Sequence, residues 1–177
     1  MFKRAAVLAA IVGMVGPINA QERSLLVRFD GGIGVQPVAN VAGTMNPADG
    51  TFPDVKLNVV RGVNPAGPWR IASLKANVYT NGRIIVSGRG LLLAAGNSIG
   101  QNANQRVFAT LFCEAASPFI ERSTSAAGVA LEPNGDFRID DMVPVPSDCA
   151  SPVLLIRAAS NRTWFAAGIR QFLGDDR

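Results

Sequence analysis

From Ser24 onward the apolar residues of the chain recur at every second position, and no window of a dozen residues keeps a helical period. Successive side chains of a strand point to opposite faces, so this rhythm commits the chain to strands rather than helices. Leu25, Val27 and Phe29 alternate with Leu26 and Arg28, and Val55, Leu57 and Val59 alternate with Lys56 and Asn58. Each set supplies one core-facing side. Between Trp69 and Tyr79 the parity changes: Trp69 and Ile71 share one side, Leu74, Ala76 and Val78 the other, which places a bulge or bend near Ser73.

Asn81-Gly82 lies between that segment and Arg83–Ser87, and Asn134-Gly135 lies between Val129–Leu131 and Phe137–Ile139. Both residue types tolerate positive φ, so each pair predicts a hairpin closed by a type I′ turn. Further strands are expected over Gly90–Ala95, Arg106–Cys113, Val153–Ala158 and Thr163–Ile169, the last two joined by Ser160, Asn161 and Arg162. Leu91-Leu92-Leu93, Phe108 and Phe112 beside Val107 and Leu111, and Val153–Ile156 are apolar on both parities. Strands of that kind are buried on both faces, either inside a sandwich or in a barrel with something packed over it. Roughly ten strands separated by Gly, Pro, Asn and Asp turns read as an all-β domain over residues 21–177. A two-sheet β-sandwich, Ig-like or transthyretin-like, is the first expectation, and a partly closed β-barrel is the alternative. Residues 39–54 form the longest expected loop and Gly96–Gln105, rich in Gly, Asn, Gln and Ser, the second.

The N-terminus carries a different pattern. Lys3 and Arg4 precede the apolar stretch Ala5–Gly16, and Pro17, Ile18, Asn19 and Ala20 form a helix-breaking run that ends in a small residue. These are the three parts of a secretory signal peptide over residues 1–20, a helix cleaved between Ala20 and Gln21. The apolar stretch is short of the roughly 20 residues a membrane span requires, so no membrane span is expected after cleavage. No Cys follows it to carry a lipid. The expected product is soluble and either periplasmic or extracellular. Cleavage also removes two of the chain's 17 basic residues against 13 acidic ones, so the net charge falls from +4 to about +2. The remaining basic residues are scattered singly, without the stripe of a nucleic-acid binder. In an oxidising compartment the two cysteines, Cys113 and Cys149, are expected to form a disulfide.

Several groups of residues bear on chemistry. The chain contains no histidine, which removes every Ser-His-Asp and Cys-His triad and the commonest metal ligand. Carboxylates alone suffice for glycoside hydrolysis or calcium binding, so Asp136, Asp140, Asp141 and Asp148 are candidates to converge on a cation or to act as a catalytic pair. The competing reading makes them polar punctuation at a hairpin and a strand end. Trp69 and Trp164, with Tyr79, form either a sugar-stacking platform or part of the core. Gly31, Gly32 and Gly34 lack the spacing, the Lys-Ser/Thr ending and the helix of a phosphate loop, and read as a bulge or tight turn. Asn161-Arg162-Thr163 has the form of a glycosylation sequon, which matters only in a eukaryotic secretory pathway.

Asn134-Gly135-Asp136-Phe137-Arg138-Ile139, followed by Met142-Val143-Pro144 and then Val153–Ile156, resembles the turn, F-x-I strand and proline-rich turn of transthyretin-like and carboxypeptidase-regulatory-like sandwiches. That resemblance implies fold class only. The combination of Gly31–Val35, Arg61–Pro65 and Gly88–Leu93 is similar to uncharacterised exported bacterial proteins, and carries over no activity and no site. The function expected is therefore an exported, non-catalytic binding or interaction domain that needs no cofactor, with a protein or glycan ligand. A carbohydrate or small-molecule binding protein is the alternative, and a carboxylate-dependent hydrolase a further one. Loops on a rigid β scaffold carry function more often than strands, which makes Asn97, Ser98, Gln101, Asn102 and Asn104 the candidate contact loop.

Overall fold

The computed structural model describes residues 24–36, 39–42, 44–50 and 54–172. The expected signal peptide, its helix and the Ala20/Gln21 cleavage point lie outside them. The described residues are all-β, without a helix. The strands are β1 (Leu25–Gly34), β2 (Ala39–Ala42), β3 (Asp54–Leu57), β4 (Trp69–Arg70), β5 (Ser73–Tyr79), β6 (Arg83–Arg89), β7 (Leu92–Leu93), β8 (Arg106–Phe112), β9 (Arg122–Ser123), β10 (Val129–Ala130), β11 (Phe137–Met142), β12 (Val153–Ala158) and β13 (Trp164–Gln171).

One sheet dominates, in the order β10-β8-β12-β13-β1-β5-β6-β11, with β9 added along β8. It curls strongly into a half-barrel. The architecture thus leans to the barrel alternative: a continuous curled sheet stands where two faced sheets were expected. Two short ladders, β2–β3 and β4–β7, lie outside it. The first corrects the expectation of a loop over 39–54, because Ala39 pairs with Leu57 and Ala42 with Asp54. The expected strand over Gly90–Ala95 contracts to β7.

The two Asn-Gly turns form, but not as type I′. That type needs positive φ at both central residues, and only Gly82 (φ +89°) and Gly135 (φ +81°) have it. The Gly82 N–H donates to the Tyr79 carbonyl and the Gly135 N–H to the Glu132 carbonyl. Each turn therefore spans Tyr79–Gly82 or Glu132–Gly135, with glycine in the left-handed position behind a type I turn. In each, the asparagine Oδ1 accepts the backbone N–H two residues on, from Arg83 and Asp136 respectively, the local bond that favours asparagine in turns. The first turn closes the β5–β6 hairpin, Val78 opposite Ile84. The second does not make the expected hairpin: β10 pairs with β8 and β11 with β6. These are the two ends of the curled sheet, so the turn joins its edges across an unladdered seam. The Asp141 carboxylate bridges that seam by accepting the Ser125 N–H at 2.8 Å.

Burial follows the alternation where one face is covered. Leu74, Ala76 and Val78 of β5, Ile84 and Val86 of β6, and Phe137 and Ile139 of β11 are buried, while their neighbours are more open. Strands β8 and β12 are buried on both faces, as their two-parity runs require. The segment after Cys113 covers β8, with Phe119 edge-on to Phe112, and the chain before β5 covers the neighbouring β13, with Trp69 stacked on Phe165 at 4.1 Å between ring centroids. The parity change ahead of β5 is a bend at Ala72 that takes the chain from β4 into the main sheet. The triple glycine of β1 is a bulge, with the β13 register shifting between Phe29 and Gly32. Cys113 and Cys149 form the expected disulfide, joining the end of β8 to the segment before its neighbour β12.

Candidate functional site

The four acidic residues do not converge. Asp136 accepts the Gly90 N–H, Asp140 is held by two bonds from the Arg83 guanidinium, Asp141 is spent on the seam, and Asp148 is exposed. Among the described residues no group of three or more acidic or cysteine side chains is placed to hold a metal. Trp69 and Trp164 are both buried, and the Trp164 indole donates to the Asn58 carbonyl, so neither offers a face to a sugar ring. In the candidate contact loop Asn97, Ser98, Gln101 and Asn104 are exposed. Asn102 is not free for contact: its amide donates to the carbonyls of Leu131 and Glu132 and its Oδ1 accepts the Asn104 N–H. It pins the loop to the turn at the sheet edge.

A different residue occupies the most unusual environment. Arg157, near the end of β12, is only 4% exposed. A register shift between Ile156 and Arg157 in the pairing with β13 re-aims its side chain, the usual consequence of a bulge. The guanidinium lies 5.4 Å above the Phe108 ring, Nε donates to the Arg162 carbonyl at 2.7 Å, and Nη1 donates to Glu121 Oε2 at 2.8 Å and to Thr110 Oγ1 at 3.4 Å. A cation so buried requires fixed partners on several sides. Arg157 is the floor of a cavity of about 180 Å³ lined by Gly62, Val63, Asn64, Glu121 and the Asn161–Thr163 turn.

The walls are two turns locked to each other. Val60 and Val63 exchange backbone hydrogen bonds, and the Trp164 N–H donates to the Asn64 carbonyl. Beside them Arg61 donates to the Ala115 carbonyl and to the Ser151 hydroxyl and covers the Phe119 ring, fastening the segment that presents Glu121. The polar lining and the pre-arranged donors make this the one place among the described residues where a buried charge meets an open cavity.

Comparison with protein-family models, curated proteins and solved structures gives no match to this chain. The site therefore stands on its geometry. It had a trace in the sequence: Arg157 lies in the expected strand Val153–Ala158 directly after the run Val153–Ile156, whose two-parity character already implied burial on both faces. Glu121 left no trace, because the contact with Arg157 crosses 36 positions of the chain.

Near the cavity, Arg122 donates to Glu114 at 2.7 Å. Burial works against ionisation of Glu114, but the bonds from Arg122 and from the backbone N–H groups of Glu114 and Cys113 outweigh it and hold the carboxyl below its ordinary value of 4.5. A carboxyl lowered on folding contributes stability that is fully present above its unfolded pKa and lost as pH falls through the folded one. Thermal unfolding followed against pH is accordingly expected to show a decline that begins below about 4.5, shallower in Glu114→Gln. An acid limb of unchanged slope in that variant would assign the decline elsewhere. Asp140, also lowered by its hydrogen bonds from Arg83, remains in both proteins and supplies a common background.

Proposed function

We propose that the chain is an exported, non-catalytic binding domain whose ligand seat is the cavity over Arg157. The observation that carries this reading is a guanidinium almost wholly removed from water yet bordering a polar cavity, held by hydrogen bonds at Nε and Nη1 and by the Phe108 ring. Binding sites are concave and largely pre-formed, with a few placed polar groups that fix orientation. The disulfide is compatible with the oxidising compartment that the N-terminal pattern addresses, and no helix among the described residues is long and apolar enough to cross a membrane. A protein without histidine, in which Asp136, Asp140 and Asp141 are each taken up by their own hydrogen-bond donors, has little to offer a reaction and much to offer a polar ligand. The cavity, at about 180 Å³, falls below the roughly 300–1,000 Å³ typical of drug-sized sites, and fits a single small polar group better than an oligosaccharide.

The reading is tested by titrating the isotopically labelled protein with a panel of small polar and charged compounds while following backbone amide resonances. Shifts centred on Gly62, Asn64 and Thr163 that weaken at least tenfold in Arg157→Lys are the expected result, because lysine keeps the charge but loses the planar fork. Shifts confined to Asn97–Asn104 would move the contact surface to that loop and overturn the assignment.

A further inference from the structure

We infer that the ligand at Arg157 is an oxyanion, and that it binds by displacing Glu121. This inference rests on the binding reading above and specifies its chemistry. The guanidinium carries five donors in a rigid fork, and its Nη1–Nη2 edge is shaped for two parallel bonds to a carboxylate or phosphate. Glu121 meets that edge with one bond only, Oε2 to Nη1. Nη2 has no hydrogen-bond partner among the described residues, while no buried side-chain nitrogen or oxygen there lacks one. Nη2 is therefore reached by solvent, and Arg157 lines the cavity.

The internal counter-ion is the displaceable partner. The Arg157 side chain is 5% exposed but that of Glu121 is 42% exposed, so Glu121 stays hydrated on one side and can turn to water without stranding its charge. Arg157 cannot leave, and a buried cation left without an anion is costly; the vacancy on the fork then selects for a negative ligand. Arg162, exposed on the same rim, adds a second positive charge for an entering oxyanion. A carboxylate or phosphate that takes both Nη positions exchanges one bond for two.

Three titrations on the full chain, each repeated on Glu121→Gln, test this at constant ionic strength: with glucuronate, with glucose as the uncharged sugar of the same body, and with inorganic phosphate. The expected result is that glucuronate or phosphate shifts the Gly62, Asn64 and Thr163 amides, that glucose does not, and that Glu121→Gln tightens the anion by roughly tenfold, the order expected when one charged hydrogen bond no longer competes. The stronger of the two anions identifies the oxyanion. Equal binding of glucose and glucuronate, unaffected by Glu121→Gln, would overturn the exchange while leaving the cavity as the ligand seat. Silence of the cavity amides toward every probe, in both proteins, would overturn the exchange and the seat together.

Discussion

Replacing both members of the disulfide, Cys113→Ser with Cys149→Ser, is expected to lower the unfolding free energy by about 4 kcal/mol. The two residues are 36 positions apart, and the chain-entropy model assigns about that much to a closed loop of such length. The closed loop contains β9, β10 and β11, which include both edges of the curled sheet. Without the cross-link, the Glu132–Asp136 turn and the Asp141–Ser125 bond remain across the seam. Urea unfolding with and without reductant reads the effect directly, as a shift of midpoint. A loss below about 1 kcal/mol would mean that this stretch is already constrained in the unfolded chain, against the entropic account.

Trp69→Ala is expected to cost about 3–5 kcal/mol, the range for truncating a large buried aromatic. Trp69 is 3% exposed and stacks nearly parallel on Phe165, with 18° between ring planes. Its backbone N–H also donates to the Val35 carbonyl, so the residue clamps β4 over the outer face of β13 where β1 ends. Removing the ring exposes Phe165 and uncovers a sheet face that carries few polar groups. Trp69→Phe keeps part of the stack and should recover half or more of the loss; an equal loss in the two variants would show that ring stacking is not what holds β4 in place. The same burial explains why Trp69 does not serve as a sugar platform.

Much of the local structure was legible in the sequence. The period of two in Leu74–Val78 and Ile84–Val86 was enough to name strands and their buried sides, because alternation is a property of the extended backbone itself. The two-parity runs of Val107–Phe112 and Val153–Ile156 named strands covered on both faces. Asn81-Gly82 and Asn134-Gly135 named two turns, since the bonds that close them run between residues only two or three apart. The turn type escaped, because whether asparagine adopts positive φ depends on the twist that the flanking strands impose.

Pairing was another matter. Gly135 turns the chain as sharply as Gly82, yet the strand before it, Val129–Ala130, pairs with β8 and the strand after it with β6. A turn dictates direction, but the strands on either side of it join the edges that bury their apolar surface, and those edges are remote in sequence. The same limit hid the β2–β3 ladder in a stretch whose glycines and prolines read as loop. It also hid the site: a polar side chain in an apolar run can be recognised as unusual, but its carboxylate partner and the cavity beside it exist only once β12, the Glu121 segment and the Gly62 turn are brought together.

What the sequence by itself determined is an all-β chain, with the positions of most strands, two tight turns and a cysteine pair, all of which follow from local backbone geometry or from composition. The curling of those strands into one half-barrel, the seam between its edges, and the placing of Arg157 against Glu121 at the floor of a cavity were decided by tertiary structure alone, because each depends on which distant surfaces exclude water from one another.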